Sequence, residues 1–381
     1  MTIGILKEPA FESRVSMLAG ELTGLTKAGI AVWVEPAAGL KAFCTDEEYT
    51  RSRAVIKQRT EILNGADVLL SIHAGDLPAT MKDKVVIGVF QPLYNPALME
   101  DWAKQGLTVF SLDMLPRTTR AQSMDVLSSQ ASIAGYKAVI LAASLYPRYF
   151  PMMMTAAGSL APAKALVLGA GVAGLQAVAT ARRLGAVVEV FDTRAASKGE
   201  VLSLGAKFVE VEGAADASKA GGYAVDQTAE FQQKQKLRIA ETIRKADIVI
   251  TTAQIFGKKA PVLVTVEMIK AMKPGSVIID LAAATGGNTE VTKDQTSVLC
   301  GQVRVIGDSN LPSSLPSDAS KLYGRNVFNF LKLLVDKPGM PEINFTDEII
   351  SGACITHGGA IVHDRVKDLA KSSMNVHKQI V

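Results

Sequence analysis

Three features of this 381-residue sequence predict an α/β fold: two Rossmann-like, doubly wound parallel-sheet domains joined by long helices, one inserted in the other. Short apolar runs alternate with amphipathic stretches along most of the chain. The glycine-rich loop Gly169-Ala170-Gly171-Val172-Ala173-Gly174 follows one such run directly and opens a helix. The C-terminal pieces are too few to form a domain alone and must pack back on the first. At 48% hydrophobic and 20% charged, the chain lies outside the composition of disordered proteins, and its length suits two domains.

The elements follow in order. TIGIL is a strand, a helix spans about Met17 to Ala28, IAVWVEP is a strand, and a second helix spans about Asp46 to Ile56. ADVLLSI, KVVIGVF and LTVFSLD are strands, with the helix ALMEDWAKQG before the last. This alternation predicts parallel strands with crossover helices, complete by Asp113. A polar loop, LPRTTRAQSMD, precedes the long helix SSQASIAGYKAVILAASLY. After the joint FPMMMTAAGSLAPA come the strands ALVLGAG, VVEVFD, KFVEV, DIVITTA, SVIIDLA and VRVIGD. Between them lie ARRLGA, a short helix from about Ala196 to Leu204, and VEMIKAMKPG. The tail holds the amphipathic helix SKLYGRNVFNFLKLLVD, whose VFNFLKLLV stretch suits core and interface equally, then strand-like INFT, GACITHGG and AIVHD. The expected domains are 1–127 with 310–381, and 128–309.

Several function classes are excluded at this level. The net charge of +4 is scattered rather than blocked, which argues against nucleic acid as a partner. Cys44, Cys300 and Cys354 lie too far apart for a zinc ribbon or a disulfide framework, and suit a reducing compartment. His73, His357, His363 and His377 form no H-E-x-x-H pattern, so no metal site is expected. The start lacks the apolar core of a signal peptide, and Arg148 and Lys164 interrupt the apolar stretch 138–180, so no membrane span is expected. The polar KDLAKSSMNVHKQIV reads as a natural end.

The glycine loop carries the chemistry. Gly169 permits the tight turn, Gly171 lets backbone approach a pyrophosphate, and Gly174 lets the helix opened by Val172 lie close to its strand. The helix N-terminus presents N–H groups to the phosphates. Asp192 ends the next strand, 18 residues after Gly174, where a carboxylate accepts both ribose hydroxyls. That favours NAD(H) over NADP, although Arg194, after Thr193, is the residue type that accommodates a 2′-phosphate. Thr251, Thr252 and Ala253 end the domain's fourth strand, at the edge where such sheets bind ligands.

A more particular set comprises LPRTTRAQSMDVLSSQASIAGY, GAGVAGLQAVATARRLGA, the Gly221-Gly222-Tyr223 loop, and KPGSVIIDLA with GGN. Together they resemble the NAD(H)-binding alpha component of proton-translocating NAD(P) transhydrogenase, over essentially the whole chain, with a fold shared with alanine dehydrogenase. The resemblance implies a Re/Si-specific component that passes hydride from NADH to NADP+ on a separate component, while a membrane-spanning component couples the exchange to proton movement. It also implies a homodimer, cytoplasmic and peripheral to the inner membrane. Arg117, Gln122, Asp125 and Ser128 would line the nicotinamide end, the first three as the catalytic set. The alternative for this segment is a polar loop that caps the following helix. Gly222 and Tyr223 would lie on a mobile loop, within the Gly-, Ala- and Ser-rich stretch 213–226, that closes over nucleotide, with Gln235 flanking it. Gln254 departs from the apolar residue of the family, which puts adenine packing in doubt.

Two other readings stay open. An amino-acid dehydrogenase of the alanine type needs proton-transferring groups, and the matching positions are Ser71, Val89 and Ala284, none ionisable. Lys7 and Arg14 then read as surface or sheet-edge charges, with a substrate clamp as the alternative, and His73 as an unconvincing substitute. A non-catalytic NAD-binding module is the third.

Overall fold

The computed structural model describes residues 1–75, 77–78, 81–211, 213, 228–335, 341 and 343–378, the last seven by backbone alone. Gly222 and Tyr223 lie outside the described residues. The chain divides into two compact units, Met1–Gln130 with Ser313–Val381, and Ala131–Pro312.

Six strands open the chain: β1 (Thr2–Ile5), β2 (Ala31–Val34), β3 (Val55–Ile56), β4 (Val68–Leu70), β5 (Val85–Gly88) and β6 (Thr108–Ser111). The inserted unit holds β7 (Met153–Thr155), β8 (Gly158–Leu160), β9 (Lys164–Leu168), β10 (Val187–Phe191), β11 (Lys207–Phe208), β12 (Ile248–Thr251), β13 (Val277–Asp280), β14 (Thr296–Cys300) and β15 (Val303–Gly307). β16 (Cys354–His357) and β17 (Ala360–Ile361) return to the first unit.

In the first unit the sheet order is β17-β16-β6-β5-β4-β1-β2-β3. β1 to β6 pair in parallel, and β16 and β17 add an antiparallel edge. β5 and β6 are buried at every position, as apolar β-branched strands covered on both faces must be. Ile3, Ile5, Val32, Val68, Leu70 and Phe110 pack with Tyr323, Val327, Phe330, Leu331 and Leu334 of the helix Pro316–Leu334. The VFNFLKLLV stretch is therefore core.

Three sequence expectations fail locally in this unit. The first helix is a 3-10 turn, Ala19–Leu22, leading into Thr23–Lys27, because Met17 is buried with its carbonyl held by the Tyr49 hydroxyl at 2.8 Å. The second stops at Arg51 despite its Thr45/Glu48 capping box. Arg53 at φ +67° reverses the chain, and Val55–Ile56 joins the sheet edge as β3. INFT is no strand, since the Asn344 side chain accepts from the Thr346 N–H and hydroxyl and makes a turn.

In the second unit the order is β11-β10-β9-β12-β13-β15-β14, parallel except for the edge strand β14. Neither β14 nor the hairpin β7–β8 was legible as strand in the sequence, because neither alternates clearly and both are largely exposed. Among the described helices, Val126–Leu145 alone is long and apolar enough to cross a membrane, contrary to the expectation of no such segment. Its Ala138, Val139 and Ala142 are buried in the apolar core of the second unit, and a core helix meets the same criterion. The two large sheets thus each run their own first five strands in the order 3-2-1-4-5, which reverses between β1 and β4 in one and between β9 and β12 in the other.

Candidate nucleotide site

In the second unit the chain leaves β9 through Gly169 at φ +107°, and the helix Val172–Arg183 begins at once with Gly171 as its N-cap. Each glycine answers to a different constraint. A Cβ on Gly174 would sit 1.8 Å from the Gly169 carbonyl oxygen, so only glycine lets the helix approach the strand. A Cβ on Gly169 would meet the Thr252 hydroxyl at 2.4 Å. A Cβ on Gly171 would meet nothing within 4 Å. Packing therefore explains Gly169 and Gly174 but not Gly171. Open space over uncapped N–H groups at a helix start suits an approaching phosphate. Val172, at the first helical position, is 45% exposed on the same opening.

Asp192 stands just past β10 with both oxygens engaged. Its Oδ2 accepts from the Ala170 N–H at 2.6 Å, and Arg194 donates to both oxygens at 3.0 and 2.9 Å, forming a bidentate pair. The hydrogen bonds that Arg194 donates to Asp192 raise the Arg194 pKa above its ordinary value, against the opposing effect of burial. The carboxylate is thereby aimed at the glycine loop. The half-buried Thr193 lies between the two. Ribose hydroxyls at Asp192 would compete with Arg194 for the same lone pairs.

The opposite side of the crevice is fixed by a residue that sequence reasoning left without a role. Asn288 is fully buried; its Nδ2 donates to the carbonyls of Ala253 and Pro261, both at 2.8 Å, and its Oδ1 accepts from the Ala253 N–H at 3.0 Å. Asp280 at the end of β13 holds that turn by accepting from the Asn288 N–H and the Thr292 hydroxyl, both at 2.6 Å. The signal was the GGN segment, with Gly286 and Gly287 both at positive φ. Gln254 points outward and donates weakly to the Leu281 carbonyl at 3.3 Å, while Gln235 is buried in the helix Ala229–Ile243. Gly169, Gly171, Val172, Gly174, Asp192, Thr193, Arg194, Ala253, Gln254 and Gln235 all belong to this unit.

Arg117, Gln122, Asp125 and Ser128 belong to the first unit. Arg117 and Gln122 are exposed on a loop that contains the 3-10 turn Thr119–Met124. Asp125 caps the helix Val126–Leu145: its oxygens accept from the Ser128 N–H at 2.9 Å and the Ser128 hydroxyl at 2.6 Å. Asp125 and Ser128 thus form one rigid couple, and the capping role weighed for this segment is observed for Asp125.

The first unit also corrects the reading of Arg14 as a surface charge. Arg14 and Glu12 are 8% and 1% exposed, joined by hydrogen bonds of 2.9 and 2.7 Å, and Arg14 donates to Gln130 at 2.8 Å. His73 Nε2 sits 2.8 Å from the same Glu12. Burial by itself would raise the Glu12 pKa, but the hydrogen bonds from Arg14 and His73 prevail and hold it well below the ordinary carboxylate range. Next to them Glu8 accepts from the Ile72 and His73 N–H groups, and Ser71 donates to the His73 carbonyl at 2.7 Å. Burial raises the Glu8 pKa. Among the described residues no three His, Cys, Asp or Glu side chains gather as a metal site.

Comparisons with known proteins fit this architecture. Residues 4–134 match the alanine dehydrogenase/PNT N-terminal domain, and residues 138–364 the alanine dehydrogenase/PNT C-terminal domain. An NAD(P) transhydrogenase subunit alpha chain of Rhodospirillum rubrum is 44% identical over 95% of this chain and 98% of its own. The crystal structure of transhydrogenase from Sinorhizobium meliloti superposes with a TM-score of 0.86 at 43% identity, over 95% of this chain and 100% of that one. An L-alanine dehydrogenase structure, at 22% identity and a TM-score of 0.81 over 98% and 99% of the two chains, shares the fold.

Proposed function

This chain belongs to the alanine dehydrogenase/PNT family, and from that premise we propose that it is the NAD(H)-binding component of a proton-translocating, Re/Si-specific transhydrogenase. The observation that carries the proposal is the glycine loop, where Gly171 alone has open space over a helix N-terminus while Asp192 is aimed at the same turn. The residues fit a dinucleotide: N–H groups at the start of Val172–Arg183 for the pyrophosphate, Asp192 for the ribose, and the Ala253 backbone, locked by Asn288, for the crevice wall. When bound, the dihydronicotinamide supplies the hydride. Arg117 and Gln122 are the proposed contacts to its carboxamide end, with Asp125 holding Ser128 in place for the same task. The loop with Gly222 and Tyr223 is proposed to close over nucleotide, with Gln235 beside it, and Thr193, Arg194, Val172 and Gln254 complete the cofactor-binding set.

Transfer between two nicotinamide rings needs orientation and exclusion of water but no proton-transferring side chain. That requirement is consistent with Ser71, whose hydroxyl is engaged by the His73 carbonyl and Glu8, and with Val89 and Ala284, which cannot ionise. The acceptor NADP+ would be held by a separate component and the coupling supplied by a membrane-spanning one. The chain itself would act as a homodimer, peripheral to the cytoplasmic face of the inner membrane. Mixing the protein with an NADP-binding transhydrogenase component should give hydride transfer from NADH to an NADP+ analogue. Turnover of NAD+ with an amino acid, in the absence of that component, would replace this reading by an amino-acid dehydrogenase. NADH binding without any transfer would leave a non-catalytic binding module.

A further inference from the structure

The loop bearing Arg117 and Gln122 is anchored in the apolar core of its unit through two side chains, Ala121 and Met124. Within 117–124 only Ala121 and Met124 are buried, and the 3-10 turn that shapes it is a weak element by hydrogen-bond geometry. Two of its polar ties come from some two hundred residues further along the chain, within the same unit. Asn326 Nδ2 donates to the Ser123 carbonyl at 2.8 Å, and Asn329 Nδ2 donates to the same oxygen at 3.1 Å. The two asparagines stand three apart on the helix Pro316–Leu334, so both amides project from one face. A carbonyl oxygen can only accept, which fixes both amide orientations with nitrogen toward Ser123. Asn326 is 8% exposed, so its donor has exchanged water for this single acceptor. Arg120 is tied separately to Asp347, the N-cap of the helix Glu348–Ala353.

We propose that Asn326 and Asn329 are positioning residues for hydride transfer: a two-amide clamp on the Ser123 carbonyl that sets where the neighbouring Gln122 side chain points. Neither residue touches nucleotide. The inference rests on the proposed nicotinamide role of Arg117 and Gln122. Its physical basis is that reacting atoms must be held near attack distance, and that the exposed part of a loop between two core anchors keeps its geometry through polar ties such as these. The clamp acts on the nicotinamide end and leaves the phosphate and ribose contacts of the second unit untouched.

The test uses Asn326→Asp, Asn329→Asp and the double variant, which keep side-chain shape but put a carboxylate against the carbonyl, with Gln122→Ala as reference. For each full-length protein, ADP-ribose binding is measured by calorimetry, and NADH-to-NADP+-analogue transfer with the NADP-binding component. ADP-ribose affinity should stay within about twofold throughout, while kcat falls roughly 10- to 100-fold in the double variant. The half-exposed Asn329→Asp should show a smaller fall of the same sign, and tests the clamp even where Asn326→Asp destabilises the unit. Full-rate transfer by both single variants and the double, with Gln122→Ala slow, overturns the clamp. Loss of ADP-ribose affinity in parallel with kcat overturns it in favour of a general structural role. A full-rate Gln122→Ala removes the nicotinamide reading itself, and the clamp with it.

Discussion

Both units reverse strand order at the same topological place, yet they fill that place in opposite ways. Beyond β9 and β12 the second unit offers backbone: a glycine turn, an uncapped helix start and a loop pinned by Asn288, with space above Gly171. Beyond β1 and β4 the first unit places side chains joined to one another: Glu8, Glu12 and Arg14, with Ser71 and His73. There the cation and the carboxylate pair with each other. One fold thus presents open backbone at one switch point and interlocked charged side chains at the other.

Experiments can break this contrast, and the largest effect is expected in the first unit. Arg14→Met leaves Glu12 buried without its main partner and should cost about 3–5 kcal/mol in urea unfolding, while Glu12→Leu/Arg14→Met together should recover much of it. An Arg14→Met variant of normal stability would mean that the pair is not structural. Next comes Gly174→Ala, whose methyl overlaps the Gly169 carbonyl; about 1–3 kcal/mol of destabilisation and a matching loss of NADH affinity should follow. Gly171→Ala sharpens the comparison, because it should weaken NADH binding about tenfold while leaving thermal stability near wild type. Unchanged NADH affinity there would show that the open space is not the phosphate site.

A smaller effect concerns pH. The Glu8 pKa is raised above 4.5 in the folded state, so its buried charge costs stability at neutral pH, and that cost is relieved as pH falls through the raised value toward 4.5. Glu12 has the opposite sign: its stabilisation is complete above 4.5 and is lost below it, as pH falls toward the much lower folded value. The first unit should therefore gain stability from Glu8 between neutral pH and 4.5, then lose it from Glu12 in stronger acid. Glu8→Gln should flatten the first limb and spare the second, as followed by urea midpoints across pH. The smallest change is Arg194→Ala. It frees the Asp192 charge to repel a 2′-phosphate and should increase discrimination against NADP(H) by about threefold in comparative binding.

The fold class and the glycine loop were legible because both rest on local rules. The apolar period marks strands and helices, and Gly174 at the strand-to-helix turn answers to the backbone of Gly169 five residues before it. Asp192 was legible by its distance from Gly174, but its bidentate capture by Arg194 was not, since two residues apart in sequence does not specify which way a guanidinium folds. The short elements were misread where a distant partner decided them, as Tyr49 does at Met17 and the sheet edge does at Val55–Ile56. Arg14 looked like a surface charge because its burial depends on Glu12, His73 and Gln130 meeting around it, and two of those lie 59 and 116 residues away.

By itself, then, the sequence determined where backbone must bend and which faces must be covered, because those are properties of consecutive residues. Tertiary structure alone decided which of two like switch points gathers paired charges, how Asp192 is engaged, and how the Arg117–Asp125 loop is tied to Asn326 and Asn329. Those outcomes depend on burial and on polar groups finding partners from remote segments, and a buried charge or amide acquires its role only when its partner arrives.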